Sequence, residues 1–287
     1  MACKFCHLTT KGSMYRKLDH ARVLANLKEA LTAELARAPE LAERYIKVCW
    51  MGMGDALNQP TMVRELTLEL LDWVIEQRFA KGLDGVDVST VLPKVADRWI
   101  EEFGRLNEEL GRFALNPQSG RIEQAQLSTK QFYVNRSRFR LFFSLHSSVQ
   151  ATRDIMVPNA TPLALAVPLL KRFADTGCDL LLHQLFVQGL NDSANEAQGV
   201  IEFMTAHFPH AELRILRYNA DETADYREWP EIEQAFTLLG HSLDRLKVQQ
   251  SAGSAVSAAC GQFLVTQPRT LKRPSASQSA AAAAPRG

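Results

Sequence analysis

Two cysteines, Cys3 and Cys6, stand two residues apart at the start of the chain, with Phe5 between them and His7 directly after. Thiolates at this spacing can close on one soft cation, as iron–sulfur and zinc sites require, and redox dithiols use the same spacing. Further on, Met51-Gly52-Met53-Gly54-Asp55 brings two glycines and an acid together. Such glycines let backbone approach a ligand closely, and the acid can accept from an ammonium or hydroxyl group. The plainer alternative is a tight turn with Asp55 as a helix cap. Ser89, the trio Ser144, Leu145 and His146, and Asn219 each close an apolar run. There they could face a ligand, although singly they are ordinary turn or core residues. Cys260, within Ala258-Ala259-Cys260-Gly261-Gln262, is either a small buried residue or an accessible nucleophile.

These positions depend on alternating helical and strand-like segments. Helical apolar spacing runs over 18–38, with Asp19 placed to cap it, and recurs over 61–79, 163–174, 193–207 and 230–239. Short apolar runs over 45–51, 85–89, 139–145, 180–187 and 212–216 predict buried strands. Repeated βα units of this kind imply an α/β fold on a parallel sheet. Strand C-termini then gather at one end, which is where Asp55, Ser89, Ser144 and Asn219 fall. A charged helical stretch over 99–113, and the region after it, read as an insertion at about 95–138 in a core spanning 1–265. Beyond Thr266 the chain is dominated by Pro, Ser, Ala and Arg, so 266–287 is expected to be a disordered tail.

Composition narrows the setting. With 287 residues, 46% of them hydrophobic and 23% charged, the chain can bury a sizeable core. No apolar run approaches the ~20 residues that span a bilayer, so no membrane partner is expected. Five cysteines form no dense framework, and a reducing cytoplasm suits them best. A net charge of +1 argues against a broad electrostatic grip on nucleic acid but leaves room for a local basic patch.

The short motifs are collinear with those of one family. Cys3-Lys4-Phe5-Cys6 resembles the end of the CxxxCxxC loop of radical S-adenosylmethionine (SAM) enzymes, whose first cysteine would fall four residues before Cys3, upstream of Met1. Met51-Gly52-Met53-Gly54-Asp55 is similar to that family's GMGEP element, with Asp55 for its glutamate and Ala56 for its proline. Ser144-Leu145-His146-Ser147 resembles its SLHA element, and Arg153-Asp154-Ile155-Met156-Val157-Pro158-Asn159 the stretch that follows. Phe186-Val187-Gln188-Gly189-Leu190-Asn191-Asp192 and Tyr218-Asn219 keep the same order. Ser257-Ala258-Ala259-Cys260-Gly261-Gln262-Phe263 resembles the C-terminal signature of the 23S ribosomal RNA adenine methyltransferases, the branch that methylates C2 or C8 of adenine.

This resemblance implies a partial (β/α)6 TIM-like barrel, here lacking its first strand, with a [4Fe-4S] cluster and SAM as cofactors. Cys3 and Cys6 would be metal ligands, with Phe5 and His7 shielding them. Gly54, Asp55, Ser89, Ser144, Leu145, His146 and Asn219 would meet SAM. Cys260 would be catalytic, taking a methyl group from one SAM before a second SAM supplies the radical that draws hydrogen from that methyl. RNA, ribosomal or transfer, is the implied substrate, a flavodoxin or ferredoxin the electron donor, and a monomer the expected state. Two other readings stay open: a radical SAM enzyme with a different substrate, and a non-catalytic truncated homologue that acts by binding. A zinc module is weaker, because Cys3, Cys6 and His7 lack an obvious fourth ligand.

Overall fold

The computed structural model describes residues 3–6, 19–51, 54–80, 82–95, 97–113, 139–218 and 226–249. Six strands are described, the first five on short runs carrying Val, Leu, Ile or Phe: β1 (Tyr45–Trp50), β2 (Gly82–Thr90), β3 (Phe139–Ser144), β4 (Asp179–Leu185), β5 (Glu212–Leu216) and β6 (Leu246–Gln249). They pair in sequence order, and every pair is parallel. Parallel neighbours need a crossover, which a helix supplies best. Helix α1 (His20–Arg37) precedes β1, α2 (Pro60–Glu76) joins β1 to β2, and α3 (Arg98–Glu109) lies between β2 and β3. Helices α4 (Gln150–Met156) and α5 (Leu163–Ala174) precede β4, α6 (Ala194–His207) precedes β5, and α7 (Ile232–Ser242) precedes β6. The sheet curls into an α/β half-barrel, the partial TIM-like architecture expected.

Local chemistry sets the helix ends. Asp19 caps α1 by accepting from the Arg22 amide at 2.8 Å, Pro60 opens α2, and Ser193 caps α6 by accepting from the Glu196 amide at 3.2 Å. The segment from residue 99 becomes α3, and its apolar side belongs to the core. Trp99, Ile100, Phe103 and Leu106 are buried there, with Phe103 4.9 Å from Phe139 of β3 and Trp99 5.5 Å from Phe173 of α5.

Alternation along the strands divides the two faces. Val86, Val88, Phe139, Leu141, Phe143, Leu182, Leu213 and Ile215 join the helices in one apolar core. The other face carries Asp87, Arg140, Phe142, His183, Glu212, Arg214 and Lys247, which pair with one another. Arg140 donates to Asp87 at 2.5 Å, Phe142 stacks on His183 at 4.6 Å, and Glu212 holds both Arg214 (2.6 Å) and Lys247 (2.8 Å). Arg214 of β5 reaches to 4.8 Å from the Phe142 ring of β3, across β4, as a concave face allows.

Two elements were not expected from the sequence. β6 is only four residues long, and its Lys247 and Gln249 face the concave side, so no apolar run marks it. Helix α4 is seven residues long and mostly polar. Among the described residues no helix is long and apolar enough to cross a membrane. Asn219, Cys260 and the expected tail over 266–287 lie outside the described residues.

Candidate functional site

The turn that carries Cys3 and Cys6 sits on the C-terminal end of the half-barrel. The Cys6 amide donates to the Cys3 carbonyl at 3.2 Å and closes the turn, while the Lys4 amide donates to the Met156 carbonyl at 3.0 Å at the end of α4. The Tyr218 hydroxyl, just past β5, donates to the Phe5 carbonyl at 3.0 Å. The Phe5 ring meets the His146 ring edge to face, with centroids 4.9 Å apart. Beneath the turn, Cys3 and Phe5 pack on an apolar cluster of Val91, Met156, Val157, Ala160, Leu185 and Val187. The CxxC segment therefore spans the ends of β2 to β5.

Burial pushes the Cys3 thiol up to about 11, and the neighbouring Cys6 and the Asp55 carboxylate add to the rise. Such a thiol stays protonated at neutral pH unless a cation takes the proton's place, which couples metal binding to proton release. Soft, anionic sulfur ligands in a largely dry setting fit an iron–sulfur group in chemical type. Among the described residues no cluster of three or more His, Cys, Asp or Glu side chains could hold a metal ion. Cys3 and Cys6 present two free thiols at this end, and a set of three would need one from outside the described residues.

Gly54 lies just after β1 with φ +84° and open space where a Cβ would stand, so only glycine takes this turn without strain. Asp55 follows it and is nearly buried. Its carboxylate accepts from the Leu57 amide at 3.0 Å, the Val91 amide at 3.0 Å and the Thr90 hydroxyl at 2.9 Å. It thereby caps the short turn Ala56–Asn58 and ties the end of β1 to the end of β2. Burial pushes its carboxyl above the usual range, against the pull of those donors. Ser89 is half-buried on the concave face opposite Phe142, and Ser144 is buried at the end of β3.

Leu145 and His146 turn the chain out of β3. The Leu145 amide donates to the His183 carbonyl at 2.9 Å, which prolongs the β3–β4 ladder by one step. His146 then adopts φ +60°, an uncommon conformation for a residue other than glycine. Its carbonyl accepts from Asn191 Nδ2 at 2.5 Å and from Gln184 Nε2 at 2.9 Å. Its Nδ1 has no hydrogen-bond partner among the described residues. Burial, then the charges of Arg153 and His183, push the ring down to about 3, so it is a neutral imidazole at physiological pH.

Several residues that build this end were not singled out as site residues by sequence reasoning. Asn191, an ordinary cap signal by sequence, is a buried bracket that also accepts from the Val187 amide at 2.7 Å. Gln184 and Arg153 are likewise buried and bonded to strand-end carbonyls. For Gln184 the signal was a polar residue inside the apolar run 180–187; Arg153 and Asn191 lie in polar stretches that give no such signal. A cavity of about 840 Å³ lies at the opposite end and is lined by residues such as Arg140, Asp179, Glu212 and Lys247. Its Arg140, Arg214 and Lys247 are already paired with Asp87 and Glu212, so it does not compete with the CxxC end as a reactive centre.

No family model matches the chain. Curated relatives do. A probable RNA methyltransferase of Rhodopirellula baltica is 26% identical over 272 residues, which cover 92% of this chain and 60% of that protein. The dual-specificity RNA methyltransferase RlmN of Campylobacter fetus is 23% identical over 270 residues, covering 92% and 64%. This chain resembles radical SAM RNA methyltransferases. Among solved structures, a radical SAM methyltransferase from Sphaerobacter thermophilus superposes with a TM-score of 0.62 over 91% of this chain and 66% of that one, at 20% identity. The fold is thus that of a radical SAM barrel. The chain spans less than two thirds of the length of these relatives.

Proposed function

We propose that this chain is the catalytic core of a radical SAM enzyme that methylates an adenine base in RNA. The observation that carries the reading is the seating of Cys3 and Cys6 across the C-terminal ends of parallel strands, where α/β barrels gather their chemistry. Similarity to RNA methyltransferases over 92% of the chain supports the reaction class.

Cys3 and Cys6 would hold a [4Fe-4S] cluster together with a third thiolate. Bound there, the cluster supplies the low-potential electron for reductive cleavage of SAM, delivered by a flavodoxin or ferredoxin. Gly54 offers open backbone beside the site. Ser89, Ser144, Leu145 and His146 line the strand ends that SAM would meet, and Asn219 is named as a further SAM contact on the resemblance alone. Asp55 acts mainly through the turn that it locks. The neutral His146 ring and Phe5 close the site against water, which favours radical chemistry. Cys260 is the methyl carrier: its thiol loses a proton as sulfur takes the methyl group from the SAM sulfonium. The acceptor is ribosomal or transfer RNA, and the protein works as a cytoplasmic monomer.

Anaerobic reconstitution with iron and sulfide tests the first step. Cys3→Ala and Cys6→Ala should each lose iron and the visible charge-transfer absorbance, and full iron loading in both variants would sink the assignment. Mass spectrometry of protein expressed with SAM should show a methylated peptide containing Cys260. A Cys260→Ala variant should cleave SAM yet fail to methylate RNA, and retained RNA methylation would remove Cys260 from the mechanism.

A further inference from the structure

Arg153 is fully buried in α4, yet its guanidinium bonds to backbone carbonyls rather than to a carboxylate. Nη1 donates to the Ser144 carbonyl at 3.0 Å and the Leu145 carbonyl at 2.5 Å, and Nη2 donates to the Val91 carbonyl at 2.7 Å. Its charged carbon lies 5.0 Å from the centre of the Phe143 ring. Two of those carbonyls belong to the residues directly before Leu92 (φ +59°) and His146 (φ +60°). Left-handed backbone is strained in a residue with a Cβ, and for a bulky residue such as leucine it is an outlier that needs an outside cause. Each of these reversals also leaves a strand-end carbonyl buried, where a missing donor would add its own penalty. One planar fork answers both turns at once. A lysine, with a point-like ammonium on a shorter stem, cannot reproduce the fork.

The CxxC turn rests on the same elements. Cys3 packs on the apolar cluster that includes Val91 and Met156, Phe5 meets the His146 ring, and the Lys4 amide bonds the Met156 carbonyl three residues after Arg153. We infer that Arg153 is a positioning residue for the thiolate site, pinning the left-handed turns after β2 and β3 on which the CxxC turn is seated. The link to metal rests on the reading of Cys3 and Cys6 as ligands, whereas the pinning of the turns does not.

The test uses Arg153→Met and Arg153→Lys in the full chain without iron, with two readouts. Hydrogen–deuterium exchange should rise about tenfold or more in peptides covering 91–95 and 145–149 in both variants, while peptides from α2 and β4 stay protected. Co2+ added under argon should give weaker thiolate charge-transfer absorbance in both variants than in the parent, with affinity reduced about tenfold. Should Arg153→Met fail to fold, Arg153→Lys alone decides. Unchanged exchange in the folded variants overturns the proposal. So does faster exchange with Co2+ affinity within about twofold of the parent, because the pin would then serve the fold and not the site. If the parent itself gives no thiolate band, the ligand reading of Cys3 and Cys6 fails, the tie between pin and site fails with it, and the exchange result stands apart as evidence on the turns.

Discussion

Asp55 has two roles that its residue type allows, and the structure displays one of them, the turn cap. Its carboxylate is spent on Leu57, Thr90 and Val91, which locks the turn after β1 against the end of β2. An amide in its place would set N–H groups against some of those donors. Asp55→Asn should therefore lose about 1–3 kcal/mol of stability, the range for a buried hydrogen-bonding group left without its partner. Urea denaturation measures this directly, and an unchanged midpoint would return Asp55 to ligand contact alone. The acid was legible in the sequence as a site residue and, equally, as a cap. What the sequence did not carry was the donor set, because Thr90 and Val91 lie 35 and 36 residues away along the chain. Arg153 was hidden in a similar way: its motif was visible, but its carbonyl partners sit at the ends of two different strands, one of them 62 residues away.

At the scale of elements, apolar periodicity identified five of the six described strands to within three residues at each end, since strands buried in a parallel sheet read as nearly continuous apolar runs. It missed β6, whose concave side is polar, and it set the stretch from residue 99 apart because the helix is charged. Helix α3 shows how a charged outer face can mask a core-forming inner one. Trp99 is 1% exposed and meets Phe173, and Phe103 meets Phe139. Truncating a buried aromatic of this kind removes its transfer free energy and leaves a cavity. Trp99→Ala should cost about 3–5 kcal/mol if α3 is integral to the barrel. A loss below about 1 kcal/mol, as at an exposed surface position, would show that this segment packs only loosely on the core.

For the whole molecule, the burial that dries the concave face and its C-terminal end also sets a pH response. His146 and His183 are both pushed down to about 3, by burial first, with Arg153 near the former and Arg214 near the latter. In the unfolded chain each takes up its proton near 6.5. Between these values the unfolded state binds more protons, so stability falls as pH falls, by up to about 1.4 kcal/mol per pH unit for each histidine. Asp55 acts in the opposite sense. Its carboxyl is raised on folding, so its contribution is present in acid and fades as pH rises through its folded value. On the alkaline side Cys178, pushed up to about 11 by burial, favours the folded state below 9 and loses that contribution as pH rises through 11. The metal-free chain should therefore be most stable between the two limbs, near neutral pH. The acid limb separates the two histidines. His183→Leu keeps an apolar side chain against Phe142 and removes one titrating ring, so the decline in unfolding free energy between about pH 6 and 4.5 should lose roughly half its slope. Urea melts across that range read the slope for parent and variant. Equal slopes would mean that His183 is protonated in the folded protein, and the charge pairing on the concave face would then have to be redrawn around it.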